Sequence, residues 1–78
     1  MEQNNKRINI CIKMQRYPLL ISNEDEQLFF NAEKMINQLI AKYENWQPNL
    51  SDQNHLSLAL LDLAHQYLKI KDKLKVVE

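Results

Sequence analysis

The sequence predicts an α+β chain: an N-terminal β-hairpin followed by two α-helices, the second long and heptad-patterned as a coiled coil. Three observations carry this. Apolar and polar residues alternate from Ile8 to Ile21, apolar residues recur three and four apart from Leu28 to Tyr43, and the last stretch keeps an unbroken 4-3 spacing from Leu56 to Val77.

The hairpin comes first. Ile8, Ile10, Ile12 and Met14 alternate with Asn9, Cys11 and Lys13, and Tyr17, Leu19 and Ile21 resume the alternation. A period of two predicts strands with one buried face, and Gln15 and Arg16 are assigned to the turn between them. Pro18 cannot donate to a ladder, which makes the second strand an edge there. A lone hairpin is marginal in water, so its apolar face is predicted to pack on helices.

Ser22 with Asp25 resembles a capping box, and Glu24, Asp25 and Glu26 place negative charge where a helix N-terminus favours it. Leu28, Ala32, Met35, Ile36, Leu39, Ile40 and Tyr43 then mark an amphipathic helix running to about Trp46, with Pro48 ending it. Ser51 caps the second helix, with Asp52 in its first turn. Leu56, Leu60, Leu63, Tyr67, Ile70, Leu74 and Val77 form a heptad seam, and a second stripe of Leu58, Leu61, Ala64 and Leu68 stops where lysines take over. From Asp52 to Val77 such a helix is about 40 Å long, against a diameter of roughly 30 Å for a compact domain of this size. The resulting division is a disordered tail over 1–5, a globular head over 6–68 and the start of a projecting coiled-coil helix over 69–78. Leu63, Tyr67, Ile70, Leu74 and Val77 are the predicted oligomer interface.

Composition narrows the function. A chain of 78 residues is a single domain and buries only about 60% of its unfolded surface, so it calls for a disulfide, a metal or a partner subunit. One cysteine, Cys11, excludes an intrachain disulfide and suits a reducing compartment. Ten basic residues balance ten acidic ones, which gives no general attraction to nucleic acid or an acidic membrane. No apolar run approaches the roughly 20 residues that span a bilayer, and the polar N-terminus lacks a signal-peptide core. A cytoplasmic protein is predicted.

The absence of glycine excludes phosphate-cradling loops, nucleophile elbows and dinucleotide turns, all of which need positive φ or close backbone approach. His55 and His65 lie about 15 Å apart along one helix and cannot share a metal; each reads as a surface or boundary histidine. Cys11 lacks a second cysteine for a metal-ligand pair, and the Glu24–Glu26 cluster is explained by helix capping. Lys69, Lys71, Lys73 and Lys75 fit a solvated coiled-coil flank better than a nucleic-acid or lipid patch, and Trp46 is assigned to core packing. No catalytic, cofactor or metal site is predicted.

Hairpin, helix and heptad helix occur in an order that resembles the ZapA family of bacterial division proteins. Residues 8–21 (INICIKMQRYPLLI) are similar to the family's opening hairpin, Asn23 to Glu26 to the acidic start of its first helix, and Leu58 to Ala64 to its Ala- and Leu-rich second helix. Two features differ. Met14 stands where the family usually has a turn glycine, and the sequence ends at Glu78 where the family's second helix continues; the second difference bears on a tetramer and not on a dimer.

The resemblance implies a non-catalytic homodimer or homotetramer that binds FtsZ at midcell and crosslinks its filaments. It also implies that basic hairpin residues contact FtsZ, whose surface and tail are acidic. Carried over by position, those sites fall on Gln15 and Pro18, and an acidic site in the second helix falls on Gln53; none is charged here. Lys13 and Arg16, close to the turn, are candidates to take over, so the partner-binding set is Lys13, Gln15 and Arg16. A cytosolic helix-pair module that dimerises another complex is the alternative from a different class. A small nucleic-acid-binding dimer using the lysines after Leu68 is a third.

Overall fold

A computed structural model of the chain describes the backbone of residues 4–77 and the side-chain surroundings as far as Leu74. The elements are β1 (Asn5–Ile12), β2 (Gln15–Ser22), a 3-10 turn (Asn23–Asp25), α1 (Glu26–Trp46) and α2 (Asp52–Val77). The predicted class holds: one antiparallel hairpin precedes two helices, and α2, with 26 residues, is the longer. Of the tail expected over 1–5, the first three residues lie outside the described ones. The chain divides into two compact units, Met1–Gln38 and Leu39–Glu78.

In the first unit the register pairs Ile8 with Leu19, Ile10 with Tyr17 and Ile12 with Gln15. Directly opposed residues share a face, so one side carries Ile8, Ile10 and Ile21, which are buried, with Ile12, Phe29 and Phe30 packed against them. The turn is Lys13-Met14, two residues earlier than the alternation predicts, and Gln15 and Arg16 begin β2. Lys13 and Met14 have φ of 51° and 68°, the pair of positive values a two-residue type I′ hairpin demands. The apolar period runs through Met14 and conceals the turn, leaving Met14 93% exposed at its tip.

Three polar anchors tie α1 to this strand pair. The Cys11 N–H donates to a Glu33 carboxylate oxygen at 2.7 Å, and the Asn37 amide donates to the Cys11 carbonyl at 2.8 Å. The Lys13 N–H donates to Asn37 Oδ1 at 2.9 Å. Cys11 opposes Arg16, a position whose backbone groups point out of the ladder, and α1 takes both of them. Pro18 falls two residues on, in the same phase, so its missing N–H costs no ladder bond. At the other end Lys6 Nζ meets Glu26 at 3.0 Å, an exposed pair worth at most about 1 kcal/mol. Ser22 caps the 3-10 turn rather than α1 directly, its hydroxyl accepting from the Glu24 N–H at 3.3 Å.

The stripe predicted on α1 is only partly an inner face. Leu28 and Met35 are exposed, whereas Phe29 and Phe30, outside that stripe, pack on the hairpin core.

Among the described residues of the second unit the buried side chains are Ile40, His55 and Ala59. Asp62 continues the His55-Ala59 row and collects three donors: Gln66 Nε2 at 2.6 Å, the Tyr43 hydroxyl at 2.8 Å and Lys42 Nζ at 3.2 Å. These bonds, Gln66 first and then Tyr43 and Lys42, hold the Asp62 carboxyl below its ordinary range, at about 2. The same carboxylate raises the pKa values of Lys42 and Tyr43. The connection is fastened by Gln47, whose N–H donates to the Tyr43 carbonyl at 2.9 Å and whose carbonyl accepts from Leu50 N–H at 3.2 Å. Ser51 caps α2 by accepting from Asn54 N–H at 3.1 Å. Trp46 departs from its core assignment: it is exposed and tilted against Tyr43, ring centroids 5.8 Å apart.

Candidate partner and assembly surfaces

The long seam of α2 does not line the helix face that α2 buries. At about 100° per residue, the row His55-Ala59-Asp62-Gln66 occupies one side of α2, and the seam from Leu56 to Leu74 lies roughly a quarter turn around. Small Ala59 at the centre of the buried row leaves room for close backbone approach. Of the seam, Leu60, Tyr67, Ile70 and Leu74 are 59–66% exposed, and Leu63 is half-buried. At the start of the seam Leu56 is exposed as well as Leu60. The Val77 side chain lies outside the described residues. Leu61 and Leu68 of the second stripe are exposed as well.

Asp62 is the residue that pattern reading overlooked. The row His55-Ala59-Asp62-Gln66 is spaced 4, 3, 4, as regularly as the leucine seam, but a search for apolar periodicity passes over a helix face whose occupants are polar and small.

At the hairpin, Lys13, Gln15 and Arg16 surround the turn. Lys13 is half-buried and anchored to Asn37 through its backbone; Gln15 and Arg16 are exposed. Gln15 shares the face of Ile12 and Arg16 that of Cys11, so the two adjacent residues leave the strand on opposite sides. Arg16 projects away from the helix-covered face, and the tip residue Met14 is exposed. Gln53 is exposed in the first turn of α2.

A two-stranded hairpin with a helix pair, carrying a heptad row on α2 that is largely exposed, defines a small hairpin–helix–helix protein. The chain belongs to the ZapA family, described as cell division protein ZapA, which matches it over residues 8–78. This is a bacterial, non-enzymatic cell division family. No curated protein and no solved structure matches the chain significantly. Among the described residues no helix is long and apolar enough to cross a membrane.

Proposed function

We propose that this chain is a non-catalytic, cytoplasmic division protein that self-associates through α2, binds FtsZ at the division site and crosslinks its filaments to promote ring assembly. The observation that carries the proposal is the exposed row Leu60, Tyr67, Ile70 and Leu74. Fully burying a large apolar side chain is worth about 1.5–3 kcal/mol, and a second copy of the same helix supplies a matching seam. Self-association as a homodimer, or a homotetramer built from dimers, turns one FtsZ-binding surface into at least two, which is what crosslinking requires.

For the FtsZ contact, Lys13 and Arg16 beside the exposed Met14 tip offer positive charge to an acidic partner, with Gln15 between them. Steering of this kind acts on association more than on folding. Lys69, Lys71 and Lys73 serve as the solvated flank of the seam, with no nucleic acid or membrane as partner. The test is co-sedimentation with polymerised FtsZ. Wild-type protein pellets with the filaments, and the folded Lys13→Glu, Arg16→Glu variant pellets less. Equal pelleting by that variant removes the hairpin from the contact, and failure of the wild type to pellet removes FtsZ as the partner.

A further inference from the structure

We propose that the junction of α1 and α2 is a binding site for a zinc-class divalent metal ion, formed by Glu44, Asp52 and His55. One ligand atom from each of these residues lies within 4.8 Å of the other two. Glu44 stands in the last turn of α1, Asp52 opens α2, and His55 follows three residues later, so Asp52 and His55 share a helix face. All three belong to the second compact unit.

The independent observation is His55 itself. The ring is only 3% exposed, and its Nδ1 is buried with no hydrogen-bond partner. A buried polar atom left unsatisfied is costly, and native structures usually give it a partner. The other nitrogen, Nε2, lies 2.7 Å from the Gln47 carbonyl oxygen. A carbonyl oxygen only accepts, so Nε2 carries a proton, and a ligating ring would bind through the Nδ1 lone pair. Metal-bound histidines are typically held this way, one nitrogen ligating while the other donates to a carbonyl that orients the ring.

The donor set selects the ion. One imidazole and two carboxylates suit zinc and its first-row neighbours, whereas calcium and magnesium prefer oxygen alone. Tetrahedral ligand atoms around zinc stand roughly 3.3–3.5 Å apart, given metal–ligand bonds near 2.0–2.1 Å. Binding would draw the present spacing, within 4.8 Å, in to that value, with a water in the fourth position. The N-terminus of α2 opposes a cation with about half an elementary charge; the two carboxylates outweigh it. A bound ion would clamp the end of α1 to the start of α2 across the glycine-free connection, fixing the direction in which the seam helix sets out.

Isothermal titration of the full chain with zinc chloride tests this. The Cys11→Ser, His65→Ala background removes the chain's remaining thiol and imidazole. One saturable site per chain is expected there, insensitive to a tenfold excess of magnesium. Asp52→Asn, at an exposed position, weakens binding by about tenfold or more, and Glu44→Gln does likewise. Because His55 is buried and its replacement can unfold the chain, its role is read from the ring itself: zinc moves the 15N resonance of His55 Nδ1 and leaves Nε2 protonated. Loss of binding in the background variant, unchanged affinity in Asp52→Asn, or an unmoved Nδ1 resonance overturns the proposal.

Discussion

Asp62 and Asn37 show how single polar side chains organise this chain. Asp62 is ionised with a pKa of about 2 against an ordinary 3.8. Because the folded value is the lower one, the folded state holds its protons less tightly than the unfolded state. The stabilisation is complete above pH 3.8 and is lost as pH falls through about 2. Acid unfolding followed by circular dichroism is therefore expected to steepen between pH 4 and pH 2, and Asp62→Asn to flatten that portion of the curve; identical wild-type and variant profiles would assign the slope to other carboxylates. Asn37 acts in the first unit, accepting from Lys13 N–H and donating to the Cys11 and Glu33 carbonyls. Asn37→Ala leaves those backbone groups to find water, at a cost of about 1–3 kcal/mol. Urea denaturation should show a lower midpoint with unchanged m-value, and an unshifted midpoint would mean that water replaces the amide without loss.

The hairpin is the element where local chemistry and fold disagree. Two non-glycine residues hold positive φ at the turn, and left-handed backbone costs an L-residue roughly 1–2 kcal/mol. Glycine removes that cost but adds about 0.5–1 kcal/mol of unfolded-state freedom. The balance favours glycine, so Met14→Gly is expected to stabilise the chain by about 0.5–1 kcal/mol, a rise of a few degrees in Tm by calorimetry. A fall in Tm would show that the Met14 side chain contributes more than its backbone costs. The turn survives without glycine because Asn37 grips Lys13 from α1 and the strand register is held by the buried isoleucines. Helix α2 divides its labour differently: a row of His55, Ala59 and Asp62 faces inward, and Leu56, Leu60, Leu61, Leu68 and Leu74 are left outside.

At the scale of the molecule, so many exposed apolar residues on one helix point to assembly. Placing lysine at seam positions puts charge where an apolar knob would meet its partner. In sedimentation velocity the wild type is expected to run as an assembly and the Ile70→Lys, Leu74→Lys variant as a monomer, while circular dichroism of the variant remains helical. The wild-type Tm should also rise with protein concentration, as it must when folding and association are linked, and that of the variant should not. An assembled variant, or a wild-type Tm independent of concentration, would place self-association on another surface.

By itself the sequence determined the element order, the helix limits near Trp46 and Asp52, and the regular seam of α2. These are local properties: a period of two or 3.6, a capping serine, a proline that ends a helix. Resemblance carried by the order of those elements pointed to the ZapA family, which the match over residues 8–78 bears out. Only the tertiary structure decided which face of each element is covered. Met14 continued the alternation and proved to be turn tip; Phe29 and Phe30 lay off the stripe and proved to be core; His55, read as a surface or boundary residue, proved to be buried. The physical reason is that periodicity reports that an element has an apolar face, whereas the neighbour that covers it is set by contacts distant in sequence. In α2 the neighbour chosen within the chain was the row of His55, Ala59 and Asp62, because small and hydrogen-bonding side chains allow close approach there.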